Sequence, residues 1–424
     1  MSKYVIVGAS AAGIGAVEAI REVDPVGSIT VISEEPCPHY SRPMISDLVS
    51  GKATFEKMKC REDEFWQKNQ VQTLTGRTAI SLNIGNKYVA LDKGEQVSFE
   101  KLLIATGGKP FIPKMEGSDK DGVLTFTTLS DAERLAARLE NAKSAVVIGA
   151  GLIGVSVTEA LVKRGLKVIL VELQDKILSL LLDPTGSDIV EDVIRKAGVT
   201  VVTGQSVQRI IGKPENDRVV GGVVLTKGEL VPCDLVIVAI GVIPRIELVA
   251  GTDVKLNRGI VVDNFMRTNI PDVYASGDVA EAYDFVLNQN RLLPLWPLAV
   301  LEGKVAGYNM AGKKTDYEGG TNMSALKYFS VPIVSIGVTN PKDESAYEIL
   351  VKHEPEKSLY KKFVLKDNVI VGITLVNDIE RAGILFHLMK KHVNVKKIKK
   401  ELLSETFSLA TLSPSVRRKI YPGE

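Results

Sequence analysis

The stretch "VIVGASAAGIG" occupies residues 5–15, and "VVIGAGLIG" occupies residues 146–154. Each is a short apolar run that breaks into closely spaced small residues and then continues with helical periodicity. From Lys3 the order is an apolar run (YVIVG), a helical stretch (AAGIGAVEAIREVD) and a second apolar run (SITVIS) that closes on Glu34 and Glu35. From Ser144 it returns as AVVIG, GLIGVSVTEALVKRG and KVILVE, ending at Glu172. Strand, helix and strand in that order make a βαβ unit, and the chain carries two.

Residues 71–104 alternate in polarity and read as strands with a turn at Lys93-Gly94; the chain then breaks at Thr106-Gly107-Gly108 and continues as "KPFIP". A matching break follows "DLVIVAIG" at Gly241, before "VIPR". Past "VYASGDVA" and a helical stretch over residues 298–310, the character changes at Gly319-Gly320 to strand-like pieces and one helix (DIERAGILFHLMKKH). The expected fold is α/β: two Rossmann-like dinucleotide-binding domains, over 1–110 with 242–318 and over 111–241, plus a C-terminal α+β domain over 319–424.

Composition agrees with a multidomain globular protein. At 424 residues a length prior of roughly 100 to 200 residues per domain gives two to four, and 45% apolar with 25% charged residues is ordinary. Lys plus Arg number 53 against 51 Asp plus Glu, so no global field favours nucleic acid or an anionic membrane. The basic run "KKHVNVKKIKKELL" is the local exception, read as a solvated helix face with docking to an acidic partner as the alternative. Cys37, Cys60 and Cys233 share no metal-ligand or CxxC spacing and are odd in number, which points to a reducing compartment. With no signal-peptide pattern and no run approaching 18 apolar residues, the expected location is the cytoplasm, without a membrane span.

A pyrophosphate at a helix N-terminus needs backbone N–H groups aimed at it and no Cβ beneath it. Gly149, Gly151 and Gly154, with Leu152 and Ile153 between the last two, form a full GxGxxG directly after a strand. Glu172, ending the next strand, can accept hydrogen bonds from both adenosine ribose hydroxyls and repels a 2′-phosphate. Only Lys176 follows closely, so NADH is favoured over NADPH. The first copy reads Gly8-Ala9-Ser10-Ala11-Ala12-Gly13, with Ser10 replacing the middle glycine but keeping a small side chain and a backbone N–H.

With both turns, the "LLIATGG" and "VIVAIG" breaks and "VYASGDVA" in this order, the chain resembles the two-dinucleotide-binding flavoproteins. That family includes ferredoxin and rubredoxin reductases, NADH oxidases, CoA-disulfide reductases and the apoptosis-inducing-factor type. The resemblance implies FAD at the first turn and NAD(H) at the second. It places Ala105, Thr106 and Gly107 at the FAD, brings Asp278 of Gly277-Asp278 to the ribityl hydroxyls, and puts Gly241 with the NAD set. The segment "SEEPCPHYSRPMISD" resembles the P-Y-x-R-P-x-x-S-K pattern of the ferredoxin-reductase-like members, with Arg42 eight positions after Glu34 and near the FAD pyrophosphate. Trp296 in "LPLWPLAVLEGKVAGYNMAG" is either a stacking partner of the isoalloxazine or a packing anchor.

The departures are as informative. Peroxidase, oxidase and disulfide-reductase members place a redox-active Cys where Met44 stands, and the peroxidases and oxidases place a His where Ala11 stands. Cys37 reads as structural or incidental rather than redox-active. The ferredoxin-reductase Lys and Glu that pair beside the flavin are Asp47 and Ser156 here; Glu159, one turn on, is either a substitute or an ordinary helix carboxylate. The resemblance therefore implies hydride transfer from NADH to FAD N5 and electron delivery to an external ferredoxin, rubredoxin or iron–sulfur subunit of a larger complex. An NADH oxidase or CoA-disulfide reductase, and an NADH-responsive regulatory flavoprotein, are the alternatives. The C-terminal domain is the expected surface for a homo-oligomer or hetero-complex.

Overall fold

A computed structural model describes residues 2–36 and 39–421, so Cys37 lies outside the described residues. The chain divides into two compact units, Met1–Pro110 with Val242–Gly320 and Phe111–Gly241 with Thr321–Glu424.

In the first unit, strands Val71–Thr75, Ile29–Ser33, Ser2–Val7, Gln96–Ile104 and Val273–Ala275 lie side by side and parallel, and a hairpin of Ala79–Asn83 and Tyr88–Leu91 extends the sheet antiparallel to Gln96–Ile104. The inner strands are apolar on both faces, as a sheet covered on both sides requires, and Val5, Ile6, Val31 and Leu103 are buried. In the second unit, Thr200–Val202, Lys167–Val171, Ser144–Ile148, Leu235–Val238 and Val123–Thr125 repeat the same parallel order. Val7 pairs with Ile32 and Ile104; Ile148 pairs with Val171 and Val238 at the matching places. The two units differ in where the fifth strand comes from. In the first it arrives only after residues 111–241 of the second unit, and in the second it precedes the glycine turn.

Residues 321–424 group with residues 111–241 rather than standing apart. They form an antiparallel sheet in the order Met323–Tyr328, Val331–Gly337, Val369–Val376, Leu359–Lys366 and Glu348–Glu354. Its attachment to the nucleotide fold is polar and buried. Asp183, the N-cap of helix Pro184–Lys196, accepts from the Tyr360 hydroxyl at 2.5 Å and the Lys362 ammonium at 2.9 Å. On the opposite side of the same strand Lys361 meets Asp378 at 2.6 Å. Each buried ammonium thus has a carboxylate, without which its burial would be prohibitive.

The basic run does not form one helix face. Helix Ala382–Lys390 stops at its first lysines, His392 turns with φ 46°, and Val393 and Val395 are buried while Asn394 bridges to Val369. Apolar residues in a short extended segment override the helical reading, and only Lys399–Leu402 returns to one helical turn.

Two helices of the first unit, Ala11–Val23 and Trp296–Met310, cross with their backbones in contact. A Cβ on Gly303 would overlap the Ala12 carbonyl oxygen, and one on Gly15 or Gly307 would lie 2.5 Å from the carbonyl oxygen of Val300 or Ala16. Only residues without a side chain permit this approach. Gly303→Ala is therefore expected to cost about 3 kcal/mol or more through overpacking against backbone. Gly383→Ala, in a helix where the added Cβ meets nothing within 4 Å, should instead gain about 0.5–1 kcal/mol. Denaturant midpoints of the two variants check the pair.

Candidate functional site

The first glycine turn is closed by two backbone bonds. Gly8 N–H donates to Ile32 at 2.8 Å and Ala105 N–H to Val7 at 2.8 Å. Gly8 has φ +118°, and a Cβ there would overlap the Ala105 carbonyl oxygen; a Cβ on Gly13 would overlap the Gly8 carbonyl oxygen. Ser10 is the N-cap of the Ala11–Val23 helix, yet its side chain caps nothing. The first-turn N–H groups of that helix are therefore left for another acceptor. Ser10 sits at φ −88°, ψ −154°, which any L-residue adopts, so its replacement of a glycine brings no strain.

Around this turn the polar groups converge. Arg42 Nε donates to Ser10 Oγ at 3.4 Å, and its guanidinium pairs with Glu35, which also accepts from the Tyr40 hydroxyl at 2.5 Å. Glu34 points elsewhere and pairs with Arg245 at the surface, so the acid that faces Arg42 is Glu35. Gly277 has φ +76° and packs beside Ala12 and Ala299, and Asp278 follows it. Burial pushes the Asp278 carboxyl up, and the Arg42 charge draws it partly back. Trp296 is half-buried against the cluster of Ala11, Ala12 and Ala299. Thr106 Oγ1 donates to the Arg245 carbonyl at 2.7 Å, and nothing lies within 4 Å of where a Gly107 Cβ would stand.

A further acid was not singled out by the sequence reading. Glu302 is only 2% exposed, and its carboxyl accepts the Gly277 N–H at 2.8 Å and the Tyr317 hydroxyl at 3.2 Å. The available signal was a glutamate inside the otherwise apolar helix "WPLAVLEGKVAG".

The second turn repeats the first. Gly149 N–H donates to Val171 and Ala239 N–H to Ile148, both at 2.8 Å. Gly149 has φ +98° with Ala239 O 2.6 Å from its would-be Cβ, and a Cβ on Gly154 would overlap the Gly149 carbonyl. Gly151 is the N-cap of helix Leu152–Lys163, again without a side-chain cap, and its own Cβ would enter open space. Helices Leu129–Arg138 and Pro184–Lys196 of the same unit are capped conventionally by Thr128 and Asp183. The Glu172 carboxylate accepts from Ala150 N–H at 2.7 Å and Gln174 N–H at 2.9 Å, which fixes it at the edge of the turn. Ile153 lies in the first turn of that helix, and the Leu152 carbonyl accepts from the Tyr328 hydroxyl at 2.9 Å, so the C-terminal sheet braces the same turn. Gly241 is exposed at φ +112° with nothing around it.

The departures from the flavoprotein pattern also find their places. Asp47 pairs with Lys52 at 3.0 Å, and Glu159 pairs with Lys163 at 2.6 Å along its own helix. Cys60 Sγ donates to the His39 carbonyl at 3.1 Å and burial pushes its thiol up; burial pushes Cys233 up to about 12. Both are held as thiols, the opposite of a reactive thiolate.

Two glycine-floored helix N-termini with bare amides, each backed by a parallel sheet and flanked by a carboxylate, suit the phosphates and riboses of two dinucleotides. The class so defined is an oxidoreductase with one dinucleotide cradle in each unit. Comparison with known proteins agrees. Residues 2–303 match the pyridine nucleotide-disulphide oxidoreductase family and residues 323–393 match the rubredoxin NAD+ reductase C-terminal domain. The chain belongs to the pyridine nucleotide-disulphide oxidoreductase family, and its cofactors are FAD and NAD(H).

It is 31% identical over 418 residues to a nitrite reductase [NAD(P)H] of Bacillus subtilis, covering 97% of this chain and 49% of that one, about half its length. It is 30% identical over 411 residues to the NADH-dependent phenylglyoxylate dehydrogenase subunit epsilon of Aromatoleum evansii, covering 96% of each. The solved NADH:rubredoxin oxidoreductase of Clostridium acetobutylicum superposes with a TM-score of 0.77 at 26% identity, covering 94% of this chain and 97% of that one.

The two glycines of the second turn should respond differently. Gly151→Val, with open space above it, is expected to leave the thermal midpoint within about 2 °C while weakening binding of the dinucleotide cradled there tenfold or more. Gly154→Val, against backbone, should abolish folding of the unit. Glu172→Gln removes the negative charge at the edge of the turn and should raise the NADPH over NADH ratio of kcat/KM values about tenfold.

Proposed function

We propose that the protein takes a hydride from NADH onto FAD and hands the electrons to an iron–sulfur partner outside this chain, a ferredoxin, a rubredoxin or a subunit of a larger oxidoreductase complex. The observation that carries this reading is the absence of an internal relay at the motif positions. Ala11 and Met44 stand where an imidazole and a thiolate would be needed, and Cys60 and Cys233 are held as thiols. Two relatives, an epsilon subunit and a rubredoxin oxidoreductase, carry names consistent with delivery to another protein.

In this reading the amides of Ala11, Ala12 and Gly13, with Ser10 and Arg42, would hold the FAD pyrophosphate, for which a guanidinium fork is well shaped. Gly8 and Ala105 leave the floor clear, and Thr106 and Gly107 continue it. Glu35 takes the adenosine side, while Glu34 remains with Arg245. Asp278 accepts from ribityl hydroxyls, and Trp296 covers the turn from the Ala299 side. Gly149, Gly151, Leu152, Ile153 and Gly154 would cradle the NADH pyrophosphate with Glu172 on the ribose, and Gly241 keeps backbone there uncluttered. Bound FAD supplies hydride acceptance and electron release; the chain binds, orients and shields it.

The acceptor would dock at the segment after helix Ala382–Lys390, where Lys396, Lys397 and Lys400 are exposed and suit an acidic iron–sulfur protein. No described helix is long and apolar enough to cross a membrane, and free thiols fit a reducing cytoplasm.

The purified protein should show a flavin spectrum that NADH bleaches, and should reduce ferredoxin or rubredoxin at least a hundredfold faster than oxygen. A faster reaction with oxygen would make it an oxidase instead. Lys396→Glu with Lys397→Glu is expected to lower kcat/KM for the protein acceptor about tenfold at low salt, leaving NADH–ferricyanide turnover unchanged and the difference shrinking as salt is added.

A further inference from the structure

Glu302 has no ion-pair partner among the described residues, although it is 2% exposed. The groups that face it are few. Gly277 N–H comes from the turn before Asp278, and the Tyr317 hydroxyl comes from the segment that closes the unit. The Asp278 carboxyl acts on Glu302 as a like charge, and the Arg42 guanidinium acts in turn on Asp278 as an opposite one. The Asp284 charge also acts on Tyr317 and favours its neutral hydroxyl. Helix Ala11–Val23 contributes no charge here, because Gly303, the next residue, sits against the backbone of Ala12. Lys304, on the same helix, turns to Glu18.

A carboxylate in such a place lacks the compensation that burial of a charge requires. A neutral acid is satisfied by the same geometry. Oε2 remains the acceptor for Gly277 N–H, and Oε1 still accepts from the Tyr317 hydroxyl on a free lone pair while the acid carries its proton. Burial and the neighbouring Asp278 oppose the two hydrogen bonds and push the Glu302 carboxyl up to about 8.

We propose that Glu302 is a positioning residue for the flavin site: it ties down the Gly277–Asp278 turn through the Gly277 amide, as the neutral acid it does so without setting a second charge against Asp278, and loss of its proton opposes the two carboxylates and loosens that turn's hold on FAD. This rests on FAD occupying the first glycine turn. The proton leaves to solvent, and the resulting charge adds a second carboxylate to the surroundings of the Gly277–Asp278 turn, two like charges in a dehydrated place. Glu302 binds more protons folded than unfolded between its ordinary value of 4.5 and about 8, so stability of the unit falls as pH rises across that window and is level above it.

The test uses the full chain, stripped of FAD and titrated with FAD by flavin fluorescence from pH 6.5 to 9.5, beside Glu302→Gln. The carboxamide keeps a carbonyl acceptor for Gly277 and has no proton to lose. Wild-type affinity is expected to fall at least threefold between pH 7 and pH 9, while Glu302→Gln stays flat once the flavin's own titration, common to both, is divided out. In FAD-loaded protein, an infrared protonated-carboxyl band present at pH 7 should vanish above the break and be missing in Glu302→Gln.

A flat wild-type curve, or the same fall in Glu302→Gln, overturns the proposal. If Glu302→Gln does not fold, Tyr317→Phe decides: it removes a bond that favours the charged form, so the break must move to higher pH, and an unmoved break overturns the proposal. Failure to bind FAD at any pH would count against the flavin reading itself rather than against the role of Glu302.

Discussion

The first unit depends on one backbone-to-backbone approach. Gly15, Gly303 and Gly307 let helix Ala11–Val23 and helix Trp296–Met310 meet along Ala12 and Ala16 with no side chain between them. That contact locates everything else at the first turn. It sets Trp296 and Ala299 over Ala11 and Ala12, and it carries Glu302 to the Gly277 amide. Close-packed interiors transmit displacement, so a single methyl at this crossing moves the floor of the turn. The helix that bears the bare amides is held from behind by a helix nearly 300 residues away in sequence.

The two glycine turns share their hydrogen bonds, their positive-φ first glycine and their crowded last glycine. They diverge at the middle position, and the reason is local. Ser10 and Gly151 have nearly the same extended backbone, so glycine is not needed there for conformation. What differs is the neighbour: Arg42 reaches Ser10, whereas Gly151 opens onto free space. A turn with a guanidinium on its rim suits a ligand that stays, and one with a clear mouth suits a ligand that exchanges.

Much of this was legible in the chain. The duplicated βαβ units, the glycine breaks at 107 and 241 and the α+β character of the C-terminal part follow from local periodicity and turn chemistry, which short windows contain. Three things were not. Which of Glu34 and Glu35 faces Arg42 depends on Arg245, a residue far along the chain that pairs with Glu34. The basic run near residue 395 reads as helix until Val393 and Val395 are seen to be buried against the C-terminal sheet. Glu302 owes its character to Tyr317 and the 277 turn, and no spacing rule links a glutamate to a backbone amide 25 residues before it. Pairings made by tertiary packing leave little trace in linear order.

The origin of the fifth strand has a consequence for synthesis. When residues 1–110 have left the ribosome, strand Gln96–Ile104 still lacks Val273–Ala275, and the face of Ala12 lacks Gly303. The first unit is begun first and finished late, whereas the parallel sheet of the second is whole once residue 238 has emerged. Because domains fold as units while the chain is made, the parallel sheet of the second unit can close before that of the first, whose strands precede it. A nascent chain stalled near residue 250 would then expose an open parallel edge and an uncovered helix, the kind of surface that chaperones hold.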